Sequence, residues 1–215
     1  MTTIESVYST FYSTPEFSEF FALCQTDGEV LEEIGIVKNT DKLRYDIFVD
    51  DGGLPCFDKT TGSRVETATN VRFFNNYNYT VYVPTNDAVR DAIDRGLPTW
   101  QSIAEFLELD KPEEERTELT PEEESARNVK ALAMVTTLVN FVKYHFQDRS
   151  VFVDNPAVRP TTFETATLNS STGVYCKVDV EAEEGSGKLT ITDATNMKRN
   201  VTENVNYLTR DFTIS

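Results

Sequence analysis

The stretch Tyr79-Thr80-Val81-Tyr82-Val83-Pro84 restricts the fold more than any other part of the chain. It is almost continuously apolar and stops at a proline, which predicts a short strand buried on both faces. The residues after it change the period. Thr85, Asn86 and Asp87 offer side-chain oxygens to the unpaired N–H groups of a helix, and Val89, Ala92 and Ile93 form its apolar stripe. Gly96 to Pro98 ends that helix, and a second begins at Thr99 with Trp100, Ile103, Ala104 and Leu107 facing inward. An interior strand that hands directly into capped helices sets the fold class as α+β.

Upstream, Pro15 to Val37 reads as helical: Phe17, Phe20, Phe21, Cys24, Val30, Leu31 and Ile34 recur at three- and four-residue intervals, punctuated by Gly28 and Gly35. Leu43, Tyr45, Ile47 and Val49 then alternate, and Asp50-Asp51-Gly52-Gly53 supplies a turn, so 42–72 is expected to hold one or two hairpins. A calcium loop from Asp50, Asp51 and Asp58 does not fit EF-hand spacing. Downstream, Thr120-Pro121-Glu122-Glu123 combines a Thr cap, Pro at the first helical position and Glu three residues after the cap. The long helix it starts has its stripe at Ala131, Met134, Val135, Leu138, Phe141, Val142 and His145, which puts the only histidine on the apolar face.

The last third reads as β-sheet. Val174, Cys176, Val178 and Val180 alternate with polar neighbours, Gly185-Ser186-Gly187 turns the chain, and Leu189 and Ile191 continue one buried face. Tyr207, Leu208, Phe212 and Ile214 are expected to form a final strand.

Length and composition narrow the function. A chain of 215 residues with 14 Phe and 9 Tyr can bury the core of one large domain. Its 36 acidic against 20 basic side chains give a net charge of -16, which disfavours nucleic acid and anionic membrane surfaces as partners. Ten of the twenty residues from Glu105 to Glu124 are Asp or Glu, read as a solvated loop and helix start. Cys24, Cys56 and Cys176 form no CxxC pair, so neither a zinc site nor a disulfide scaffold is indicated. One histidine cannot build a metal site of two or three imidazoles, and neither a phosphate loop nor a GxSxG elbow is present. No cofactor is expected. No apolar run reaches the ~20 residues of a membrane-spanning helix. Met1-Thr2-Thr3-Ile4-Glu5 lacks the marks of a signal peptide, a start compatible with an export signal or a lipid or other anchor removed from the N terminus.

The order of these signals resembles the fasciclin (fasciclin I) domain family. Tyr79 to Val89 is similar to the family's first signature, in which a strand runs through Pro84-Thr85-Asn86 and Asp87 into a helix. Tyr144-His145, followed by Val151-Phe152-Val153, is similar to the central Tyr-His element. Thr165 to Leu168, the 174–192 hairpin and Asn200 to Ile214 follow in the order of the closing strands. Val83 and Val89 stand where Ala and Phe are common in the family, and Asn204-Val205-Asn206-Tyr207 lacks the usual glycine, departures with which the resemblance implies a distant member. The resemblance implies twisted β-sheets forming a wedge or sandwich with several α-helices packed along one edge. It covers 15–215 as a single domain, after an N-terminal segment 1–14 and with an inserted hairpin region at about 38–78.

The resemblance further implies a non-catalytic adhesion or interaction module at the cell surface or outside the cell, binding a protein or glycan. A carbohydrate or small-ligand binding subunit is the alternative, and a hydrolase comes last. The acidic, cysteine-poor composition points to a bacterial host, with a secreted or outer-membrane-anchored lipoprotein as the form. Asn78, Asn169 and Asn200 head glycosylation sequons only in a eukaryotic host. Tyr144 and His145 are the candidate binding pair, set against the reading of a hydrogen-bonded core histidine. Thr195, Asn196 and Met197 occupy the place of the integrin-binding segment of animal members but lack its acidic residue, so that activity is not carried over. Cys176 activated by His145 is the least implausible catalytic pair, and its place on a buried face argues for an inert thiol.

Overall fold

The computed structural model describes residues 14–25, 27–35, 79–148, 151, 161–169, 171–183, 188–192 and 198–201. These fall into two compact units, one mainly helical and one mainly sheet. The 42–72 hairpins, the three-Asp loop, Cys56, the sequon at Asn78, the 152–153 strand, the Gly185 to Gly187 turn and the 207–214 strand lie outside the described residues.

The helical unit begins with a short 3-10 turn, Pro15–Phe17, that runs into α1 (Ser18–Cys24), followed by α2 (Gly28–Glu33). The Pro15 to Val37 pattern is thus broken in two. Gly28 starts a helix here instead of interrupting one, because the Asp27 carboxylate caps the N–H groups of Glu29 and Val30. Phe20, Cys24, Val30 and Leu31 are fully buried, as their spacing predicts.

Helix α3 (Asn86–Asp94) follows the Thr85 cap, whose hydroxyl accepts from the Ala88 N–H. It ends where Gly96, at φ +104, lets the Leu97 N–H reach the Ala92 carbonyl, a left-handed turn that glycine adopts without a Cβ penalty. Helix α4 (Trp100–Phe106) is held at its start by reciprocal bonds between Thr99 and Ser102. Buried Trp100 donates its indole N–H to the Leu23 carbonyl at 2.9 Å, tying α4 to the end of α1.

Helix α5 (Pro121–Tyr144) opens as the sequence predicts: Thr120 N–H donates to the Glu123 carboxylate at 2.9 Å, and Glu123 N–H donates back to the Thr120 hydroxyl at 3.3 Å. Its buried positions are Ala131, Val135, Leu138, Val139 and Val142. Val139 joins the predicted stripe, whereas Met134 and Phe141 are only half-buried. The helix stops at Tyr144, so His145 lies in the turn beyond it and does not continue the helical face.

The sheet unit contains β1 (Tyr79–Val81), β2 (Phe146–Asp148), β3 (Thr161–Asn169), β4 (Val174–Glu183), β5 (Lys188–Thr192) and β6 (Lys198–Val201). They pair antiparallel in chain order, β1 to β6. Thr80 and Val81 point to opposite faces and are each 2% exposed, so the short first strand is covered on both sides. One face carries an apolar cluster of Val151, Val178, Val180, Leu189 and Ile191, against which Tyr82, Tyr144 and Phe163 pack. The predicted alternation of β4 holds from Val178 onward, but Val174 is exposed and Cys176 only half-buried. A register shift between Glu164 and Leu168 on the neighbouring strand falls at the same end of the hairpin.

Candidate functional site

Three polar side chains are buried to 2% exposure or less among the described residues: Thr80, Gln147 and Thr165. They are not scattered. Thr80 is the register partner of Gln147 across β1 and β2, and Gln147 is the register partner of Thr165 across β2 and β3. A strand shows alternate residues to each face, so the three form one cross-strand row. Tyr82 and Phe163, each two residues along its strand from a member of the row, reach the apolar cluster on the same face.

Burial of polar groups is tolerated when each finds a partner. The Thr80 hydroxyl accepts from the Val151 N–H at 2.9 Å. The Thr165 hydroxyl donates to the Cys176 carbonyl at 3.0 Å, and the Thr167 N–H donates to it at 3.3 Å inside the register shift. The Tyr82 phenol donates to Gln147 Oε1 at 2.7 Å. Burial pushes the Tyr82 phenol far above the ordinary tyrosine value, so it is a fixed neutral donor at any physiological pH. The Gln147 amide nitrogen is the exception: Nε2 is buried without a hydrogen-bond partner, an arrangement that costs about 1–3 kcal/mol when left dry.

Tyr144 and His145 come to this same unit. Tyr144 packs against the apolar cluster, and the His145 carbonyl accepts from the Tyr82 N–H at 2.9 Å, continuing the β1–β2 ladder by one rung. Both side chains are half-buried. Lys143, immediately before them, is pushed down to about 8 by desolvation. Thr195, Asn196 and Met197 lie outside the described residues. Gln147 and Lys143 were not singled out by sequence. A lone Gln after Tyr-His-Phe and a Lys near the end of a helix carry no periodic signal until the register is known.

Pro84, Thr85, Asn86 and Asp87 belong to the helical unit, where they organise helix starts. Asn86 Oδ1 accepts from the Glu19 N–H at 3.0 Å and its Nδ2 donates to Ser18 Oγ at 3.2 Å, so one side chain joins the starts of α1 and α3. Arg90 bridges Asp87 at 3.3 Å and Glu19 at 3.0 Å on the surface.

The helical unit also holds a cleft of about 490 Å³ between the α3–α4 connection and the middle of α5. Ile93, Leu97, Pro98, Ala133 and Met134 give it an apolar lining, and Thr99 and Ser102 at its edge are occupied by their mutual capping bonds. The described residues of this unit carry nineteen acidic and six basic side chains, and Phe106, Val129 and Leu132 add exposed apolar surface on α4 and α5. Trp100 is 6% exposed and offers no platform.

Among the described residues no group of three or more His, Cys, Asp or Glu side chains is placed to hold a metal ion, and no helix is long and apolar enough to cross a membrane. Compared with family models, with curated proteins and with solved structures, the chain has no match. The fold and the two sites define a class at the level of architecture: an α+β chain with an antiparallel sheet unit built on a buried polar row and an acidic helical unit with an apolar cleft.

Proposed function

We propose that the chain is a non-catalytic interaction module whose contact surface is the cleft of the helical unit and whose partner is a protein segment with an apolar anchor flanked by basic residues. The observation that carries this reading is the pairing of an apolar cleft, whose Thr99 and Ser102 hydroxyls are held in capping bonds, with a helical unit in which acids outnumber bases by about three to one among the described residues. An apolar lining of this volume accepts one or two hydrophobic side chains. The acidic field attracts a basic segment and repels acidic competitors. The half-buried thioether of Met134 adapts to differently shaped anchors.

This supports a protein partner over a glycan, since the one tryptophan is enclosed and hydrogen-bonded within the fold. It also supports a non-catalytic role: desolvation holds the Tyr82 phenol neutral, and the strongly displaced carboxyl of Glu108 belongs to a surface loop clasp. The fasciclin-like order of motifs in the sequence supports a working site for such a module at the cell surface or outside the cell.

The test is a titration of the isotope-labelled protein with a Lys/Leu amphipathic peptide, its Glu/Leu counterpart and a set of soluble oligosaccharides. The expected result is salt-sensitive shifts at Ile93, Leu97, Ala133 and Met134 with the basic peptide only, lost in Met134→Glu. Equal response to the acidic peptide, or response to oligosaccharides alone, overturns the reading.

A further inference from the structure

We infer that the buried polar row of the sheet unit is an internal hydration site, with one water molecule bound to Gln147 Nε2. The amide nitrogen has two N–H groups to donate and neither meets an acceptor, while Gln147 itself is 0% exposed. Its other end is fixed: Oε1 accepts from the Tyr82 phenol at 2.7 Å, so the side chain is not free to swing its nitrogen toward solvent. An unpartnered donor held in that position is satisfied by a molecule small enough to be enclosed with it and able to accept.

The surroundings meet the other demands of a buried water, which needs a polar lining and two to four partners. Thr80 and Thr165 flank Gln147 on the two neighbouring strands, Tyr82 stands beside it, and all three present hydroxyl oxygens on the same face. The register of β3 shifts between Glu164 and Leu168, directly beside the Gln147–Thr165 pair, and a bulge disturbs the ladder spacing there. The row is bordered by the apolar cluster of Val178, Val180 and Ile191, which explains why the water would be confined instead of exchanging freely.

A high-resolution crystal structure of the unmodified protein, together with water–amide cross-relaxation on the Gln147 side chain in solution, tests this. The expected result is a single density peak at about 2.7–3.2 Å from Nε2 and a long-lived water contact to its amide protons. Tyr82→Phe is expected to retain the peak, and Gln147→Leu to lose it. A dry Nε2, an amide found reversed with its nitrogen against the Tyr82 oxygen, or a water that survives in Gln147→Leu each overturns the assignment. None of these outcomes bears on the cleft of the helical unit, so the two proposals fail separately.

Discussion

The Tyr82 phenol and the Gln147 side chain, 65 positions apart in the chain, meet at 2.7 Å inside the sheet unit. The bond couples the first strand to the strand that leaves the long helix, and it does so on the face that also carries the apolar cluster of Val, Leu and Ile. Tyr82→Phe removes the donor and leaves Gln147 Oε1 buried with nothing to accept. The expected loss is about 1–3 kcal/mol in urea unfolding, with an unchanged dependence on denaturant. A neutral result would mean that the carbonyl finds another donor.

Lys143 gives a pH signature. Desolvation holds its folded value near 8, against an ordinary 10.5. Below pH 8 both folded and unfolded chains carry the proton, and the folded state bears the full cost of the buried charge. Between about 8 and 10.5 the folded state releases its proton first, the unfolded state binds more protons, and stability therefore rises with pH. The rise amounts to about 3 kcal/mol at most. Lys143→Met is expected to be more stable than the parent at pH 7 and to lose this rising limb, compared by denaturant midpoints across the range.

Glu108 makes the opposite prediction at low pH. It sits at φ +59, a left-handed position normally left to glycine, just past the end of α4, where the Leu109 N–H reaches back to the Ala104 carbonyl. Its carboxylate accepts from Lys111 Nζ at 2.7 Å, from Thr117 N–H at 2.6 Å and from Thr117 Oγ1 at 3.2 Å. These bonds, that of Lys111 foremost, bring the carboxyl down to about 2. The contribution of the clasp is fully present above pH 4.5 and is lost as pH falls toward 2. Carbon-detected titration should place the Glu108 midpoint near 2 and move it upward in Lys111→Met. A midpoint in the ordinary glutamate range would show the clasp open in solution.

Arg127 and Glu33 form the most enclosed ion pair among the described residues, at 2.6 Å with side chains 17% and 29% exposed. Arg127 Nε is buried without a partner, so the guanidinium depends on Glu33 and on a long 3.5 Å contact to the Leu107 carbonyl. Removing one partner of such a pair costs more than replacing both partners with apolar chains of similar volume. Glu33→Ala is expected to cost about 2–3 kcal/mol and the double variant Glu33→Leu/Arg127→Met clearly less. The reverse order would show that the guanidinium is hydrated in the folded protein.

Local signals were legible in the sequence wherever the physics is local. The helix starts at Thr85, Thr99 and Thr120 are written in residues three apart, because a side-chain oxygen and an unpaired N–H meet within one turn. The interior strand at Tyr79 to Val81 is readable because burial on both faces demands a nearly continuous apolar run, and the 174–192 hairpin because burial of one face requires a period of two. Even there alternation says which face Cys176 and Val174 take but not how deeply that end of the strand is covered, and Val174 is exposed and Cys176 half-buried. His145 was assigned to the helical stripe because helical spacing alone does not say at which residue the helix stops.

The sequence by itself determined which segments turn, cap and alternate, and it fixed an acidic surface ill-suited to polyanions. Only the tertiary structure decided that Thr80, Gln147 and Thr165 share one row, that Tyr82 reaches Gln147, and that Met134 opens onto a cleft while Val139 faces the core. Those outcomes depend on strand register and helix rotation. Both are set by the fit of whole faces against each other, a sum over many contacts distant in the chain that no single stretch of residues encodes.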